Sequence, residues 1–128
     1  MIFTNCLAST LEDAATFAEH VDIARARGVP FYHFTIDCDE AEHLSRLQSP
    51  ERANGRKRKL VDPSVLLDFV ANYTMVDPKR FGGNCWQPNG FKYKILDTTC
   101  LTSDAAATQI LRSILGWQGK QAVSHSQL

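Results

Sequence analysis

A chain of 128 residues with 44% hydrophobic and 22% charged side chains has room for one globular domain with a modest core, and disorder over its whole length is not expected. Fourteen basic and fourteen acidic side chains cancel, so no global field draws the protein onto nucleic acid or an anionic membrane, and any basic function is local. No run approaches the ~20 apolar residues of a membrane span, and Met1 to Leu7 lacks the basic n-region and long apolar core of a secretory signal. A soluble, cytoplasmic protein is the expectation.

In chain order, Met1 to Leu7 opens with the β-prone pair Ile2 and Phe3, turns polar at Thr4 and Asn5, and suits a first strand. Ser9 with Glu12, or Thr10 with Asp13, forms a capping box, after which Leu11, Ala14, Ala15, Phe17, Ala18 and Val21 recur at helical spacing until Gly28 and Pro30 stop the helix. Phe31 to Ile36 reads as a second strand ending in Asp37, Cys38 and Asp39. Asp39 with Glu42 caps a short helix carrying Leu44, Arg46 and Leu47.

From Ser49 to Lys59 the pattern breaks into a polar, basic loop. Asp62 as cap and Pro63 at the first helical position then start a helix with Leu66, Phe69, Val70 and Tyr73. Thr74 to Gly90 reads as a long loop, and Phe91 to Leu96 as a last strand ending in Asp97, Thr98 and Thr99. Thr102 or Ser103 caps a final helix with Ala106, Ile110, Leu111, Ile114 and Leu115 facing inward, and residues 117–128 form a polar, disordered tail. Residues 1–116 then make a single domain.

Strands alternating with helices favour a mainly parallel sheet of three strands with helices on its faces. All three strands turn polar at their carboxyl ends, where open α/β sheets hold ligands. This edge would carry Thr4, Asn5, Asp37, Asp39, Asp97 and Thr98, although each is also a common cap or turn former.

Arg52, Arg56, Lys57, Arg58 and Lys59 lie within eight residues. Such a run reads as a solvated loop or a phosphate-binding lid, ahead of a nucleic-acid or nuclear-import patch. Trp86, Phe91 and Tyr93 could stack a purine or anchor the core. The four cysteines, Cys6, Cys38, Cys85 and Cys100, are scattered without a CxxC pair and read as reduced thiols; no metal site is expected from them or from His33 and His43.

The order of elements, with Arg46, Ser49 to Asp62 (ending Lys59-Leu60-Val61-Asp62) and Leu96 to Ser103 (containing Asp97-Thr98-Thr99), resembles the C-terminal part of P-loop small-molecule kinases and related ATPases, a group similar to gluconate and shikimate kinases. The resemblance covers about Met1 to Leu115. It implies a partial three-layer α/β/α fold with a lid over about 49–61, ATP with Mg²⁺ as the family's cofactors, and a nucleotide or small molecule as substrate. By the same resemblance Arg52 is the lid arginine and catalytic with support from Arg46, Arg56, Arg58, Asp97 and Thr98 contact the nucleotide, and Thr4, Asn5 and Asp37 the substrate.

The departure from the family is equally specific. No GxxxxGK[ST] occurs, and the single Gly-Lys neighbours, Gly119 and Lys120, lack both the preceding glycine and a following Ser or Thr. That loop supplies the backbone N–H groups and lysine that cradle phosphates, and the hydroxyl that helps hold Mg²⁺. The expectation is a chain without the family's first strand and phosphate loop. Such a chain would be inactive alone, and either the truncated form of an ATP-dependent phosphotransferase or a non-catalytic binding or self-associating module.

Overall fold

The computed structural model describes residues 1–55, 60–78 and 90–125. The chain is mixed α/β, and the two strands among the described residues lie side by side and parallel. Helix α1 (Leu11–Ala26) starts where the Thr10 hydroxyl accepts from the Asp13 backbone N–H at 3.2 Å, while Asp13 Oδ2 accepts from the Ala8 N–H at 2.7 Å. The two bonds satisfy orphan donors on both sides of the helix start. Ala14, Phe17, Val21 and Ala24, at helical spacing, are its buried stripe. Gly28, at φ +63°, closes the helix in the left-handed conformation that a side chain would strain.

Strand β1 (Phe31–Asp37) and strand β2 (Phe91–Asp97) pair in register from Phe31 with Phe91 to Asp37 with Asp97. Helix α2 (Glu40–Leu47) begins at Asp39, whose Oδ1 accepts from the Glu42 N–H at 2.7 Å. A single turn, α3 (Pro50–Ala53), follows Ser49. Helix α4 (Pro63–Asn72) starts as expected at Asp62 and Pro63, with Asp62 Oδ1 accepting from the Ser64 N–H and hydroxyl. Helix α5 (Ser103–His125) is capped by the Thr102 hydroxyl, which accepts from the Ala105 N–H at 3.2 Å.

Side chains alternate across the strands, and the two faces take different helices. On the odd-numbered face Phe17 of α1 packs edge-on against Phe31, His33 and Phe91, with ring centroids 5.2 to 6.5 Å away. Val21 and Val76 complete this cluster, with Leu7 packed beside it. On the even-numbered face Trp117 of α5 stacks on Tyr32 at 5.3 Å and Phe34 at 5.4 Å, and Lys94 donates to the Ser113 hydroxyl.

Three sequence expectations need correction. Met1 to Leu7 is not a strand of the sheet. Phe3 stacks on His20 of α1 at 4.3 Å, Met1 and Ile2 are almost fully exposed, and pairing begins only at an antiparallel bridge between Ala8 and Met75. The basic loop after Ser49 contains the turn α3, which Pro50 at the first helical position favours. The tail after Trp117 is helical to His125, because the Trp117 stack on β1 anchors α5 beyond the point where the apolar periodicity ends. Residues 56–59, 79–89 and 126–128, and with them Arg56, Arg58, Cys85 and Trp86, lie outside the described residues.

Candidate functional site at the carboxyl ends of the strands

The parallel register brings the ends of β1 and β2 level, so that Asp37, Asp39, Asp97 and Thr98 share one edge as their positions in the sequence implied. Thr98 is the buried member, at 4% exposure. Its N–H and its hydroxyl both donate to the Asp37 carbonyl, at 2.8 and 2.9 Å, which extends the ladder one residue past the strands. The Thr99 hydroxyl donates to Asp97 Oδ1 at 2.6 Å and accepts from the Asp39 N–H at 2.9 Å. Asp37 Oδ1 accepts from the Cys38 N–H at 2.9 Å.

Arg46 lies across this edge. Its guanidinium donates to Glu42 Oε1 at 2.6 Å, to the Thr98 hydroxyl at 2.8 Å, to the Thr98 carbonyl, and to the Leu101 carbonyl at 3.5 Å. A planar fork with five donors suits this task better than a point charge. One side chain thereby ties α2 to the turn leading into α5. The sequence reading placed Glu42 only in the cap with Asp39 and gave Leu101 no role; the Glu42–Arg46 spacing of four on one helix was the signal that could have found the pair.

The electrostatics follow from these bonds. The Thr99 hydroxyl and N–H beside Asp97 hold its carboxyl below the ordinary aspartate value, with a small further contribution from the Arg46 charge. Burial pushes the Cys38 thiol up, against the opposing pull of Arg46, so it is not an activated thiolate. Among the described residues, no group of three His, Cys, Asp or Glu side chains could hold a metal ion.

The remaining expected site residues are dispersed. Arg52 donates through Nε to the Leu60 carbonyl at 2.8 Å and closes the base of the segment that would be the lid. Thr4 is exposed in the extended N-terminal segment, and Asn5 lines a cleft along β1 with Leu7, His33, Thr35, Met75 and others. Phe91 stacks on Phe31 at 5.8 Å and Tyr93 tilts against Phe91 at 6.1 Å, which is the packing role open to them in the sequence. Comparisons with protein-family models, with curated proteins and with solved structures give no match.

His33 lines this cleft and also packs against α1. Its Nε2 lies 3.1 Å from the Thr35 hydroxyl, and burial against Phe17 lowers its pKa from the ordinary value. The cleft holds about 120 Å³, well short of the ~300 Å³ at which small-molecule pockets begin. Among the described residues no helix is long and apolar enough to cross a membrane.

Proposed function

We propose that this chain is a non-catalytic binding module built on half of a P-loop-kinase-like fold, and that it does not by itself transfer or hydrolyse the γ-phosphate of ATP. The observation that carries the reading is the engagement of Arg46. An arginine that stabilises charge on a transferring phosphoryl group must be able to turn to it, whereas Arg46 is bonded to Glu42, Thr98 and Leu101. The carboxylates beside it bond their own loops. With no phosphate loop in the sequence, these residues do not fit ATP with Mg²⁺.

The test is ATP turnover by purified protein with Mg²⁺ against a vector-only control, together with titration of a fluorescent ATP analogue. The expected result is neither turnover nor saturable binding. Turnover above the control that disappears in Arg52→Ala would overturn the reading.

A second reading has one observation in its favour. The extended segment through Asn5 and Leu7 and the open side of β1 line a common cleft, the place where the resemblance puts a first strand between them. A form of the protein carrying that strand and its phosphate loop would be an ATP-dependent phosphotransferase or ATPase, with Arg52, Arg56 and Arg58 in its lid. In that form Arg52→Ala is expected to lower turnover by one or more orders of magnitude, the scale of charge-stabilising arginines.

A further inference from the structure

At the end of α3 a side-chain amide stands beside the least hindered backbone nitrogen a chain can offer. Asn54 follows the last residue of α3 and precedes Gly55, and both are exposed. The Asn54 N–H donates to the Pro50 carbonyl at 2.9 Å, and its φ of −97° and ψ of 0° continue the turn. For the Gly55 nitrogen to reach the Asn54 side-chain carbon, only the Asn54 ψ and side-chain torsions must rotate. That rotation leaves the Pro50 bond in place, because ψ lies after the donating nitrogen, and α3 has no further turn to disrupt.

The turn itself sets glycine at position 55. A Cβ there would lie 2.9 Å from the Glu51 carbonyl oxygen, so the geometry that exposes Asn54 also keeps its neighbour free of a side chain. The surroundings favour negative charge. Arg52 precedes the pair and Arg56, Lys57, Arg58 and Lys59 follow it in the sequence, and cations stabilise both a deprotonated amide nitrogen and the oxyanion formed when it attacks. The other described asparagines differ. Asn72 Nδ2 donates to the Asp68 carbonyl and to Asp68 Oδ1, each at 2.9 Å, and is followed by Tyr73, while Asn5 is followed by Cys6.

We propose that Asn54-Gly55 is a site of spontaneous covalent modification, at which Asn54 is converted through a cyclic imide to a mixture of aspartate and isoaspartate. The Gly55 nitrogen bonds to Asn54 Cγ, the Cγ–Nδ2 bond breaks, and ammonia leaves with the Gly55 amide proton. Water then opens the ring. Addition at the side-chain carbonyl restores the ordinary backbone with an aspartate, whereas addition at the backbone carbonyl routes the chain through Cγ and leaves an isoaspartate. Either product adds a negative charge within the basic run, and isoaspartate lengthens the chain where Gly55 lies against Glu51. The isoaspartyl carboxylate is the class of substrate taken by methyltransferases that use S-adenosylmethionine. The reaction needs no nucleotide and no partner, and it stands apart from the binding-module reading.

The full chain is incubated at pH 7.4 and 37 °C beside an acetylated and amidated peptide of residues 51–57, and both are sampled over days by mass spectrometry. Trypsin cuts after Arg52 and Arg56, which separates residues 53–56 from the second Asn-Gly pair, Asn89-Gly90, whose Asn89 lies outside the described residues. Residues 53–56 are expected to gain the mass of an amide-to-acid change at a rate within tenfold of the peptide's. Methyl transfer from labelled S-adenosylmethionine is expected to show isoaspartate as the larger product. The fragment carrying Asn72 is expected to change at least tenfold more slowly. Asn54→Gln, whose longer side chain must close a larger ring, is expected to keep the fold by circular dichroism and to lose both the mass gain in this fragment and its methyl transfer.

A rate at Asn54 more than tenfold below the peptide's would mean that the turn holds the amide away from Gly55, and would overturn the proposal. Equal rates at Asn54 and Asn72 would remove its selectivity and overturn it as well. Mass gain without methyl transfer would remove the cyclic imide and do the same.

Discussion

The carboxyl end of the sheet and the outer edge of β1 are margins of the same two strands, and they are finished differently. At the carboxyl end the polar groups bond inward: Thr98 to the Asp37 carbonyl, Thr99 to Asp97, and Arg46 to Thr98, Leu101 and Glu42. At the outer edge the backbone groups of Tyr32, Phe34 and Ile36 face away from β2, and Phe34 and Ile36 line a cleft with Asn5, Leu7 and Met75. A cluster of acidic, hydroxyl and basic side chains thus serves as a structural clasp, while a stretch without formal charge carries backbone groups that no strand among the described residues pairs with. Polarity of composition and availability for binding are separate properties.

The largest effect is expected where both margins rest on one side chain. Phe17 is 2% exposed and touches Phe31 and His33 of β1 and Phe91 of β2. Phe17→Ala is expected to lower unfolding free energy by about 3 to 5 kcal/mol, read by urea denaturation followed by circular dichroism. A loss under ~1 kcal/mol would mean that α1 does not hold the sheet, and the contrast between its margins would lose its common base.

Next comes the clasp itself. Arg46→Met keeps the length of the side chain and removes its donors, leaving the Thr98 and Leu101 carbonyls without them. With the guanidinium about a third exposed, the expected loss is about 2 kcal/mol, within the range for hydrogen bonds to charged groups. Arg46→Lys is expected to recover only part of it, since an ammonium lacks the planar fork. An unchanged midpoint in Arg46→Met would show that the guanidinium is free for another task, and would weaken the non-catalytic reading directly.

Much of the fold was legible because local signals carried it. Thr10 with Asp13, Asp39 with Glu42 and Asp62 with Pro63 all mark helix starts, since a cap acts within three residues and needs no tertiary context. Both paired strands were likewise visible as aromatic and β-branched runs ending in aspartate. Met1 to Leu7 misled for the complementary reason. Ile2 and Phe3 have strand propensity, yet propensity cannot say whether a neighbour is present to pair with, and Phe3 instead stacks on His20. Asp97 and Thr98 were correctly placed at one edge with Asp37, but that Arg46 bonds across 52 residues to Thr98 depends on the register of β1 and β2, which no local pattern encodes.

The edge makes its own, smaller prediction through His33. Burial lowers its pKa, so between the folded value and the ordinary value of 6.5 the unfolded chain binds more protons than the folded one. Stability is then fully present above pH 6.5 and falls as pH drops through that window toward the folded pKa, levelling off below it. Urea midpoints at pH 5 and 8 are expected to differ in that direction, with the difference reduced in His33→Gln. An imidazole midpoint at 6.5 by NMR would remove the effect and one above 6.5 would reverse its sign, and either would mean that His33 is more hydrated than its packing against Phe17 suggests.

The smallest effect belongs to the carboxyl end and separates hydrogen bonding from charge there. Asp97 is exposed, so its depressed pKa follows from the Thr99 hydroxyl and N–H before any influence of Arg46. A carboxylate depressed in this way contributes stability that is present above the ordinary value of 3.8 and is lost as pH falls through the folded pKa. Carboxyl-carbon NMR titration is expected to give Asp97 a midpoint below 3.8 in the unaltered protein. Thr99→Val removes the hydroxyl bond at 2.6 Å and keeps the backbone N–H, so it is expected to raise the midpoint part of the way back. It also removes the acceptor for the Asp39 N–H, so a modest weakening of the link to α2 should accompany the shift. If Arg46→Met moves the Asp97 midpoint more than Thr99→Val does, charge and not the Thr99 turn governs this edge, and the guanidinium is less fully occupied by Glu42, Thr98 and Leu101 than its bonds indicate.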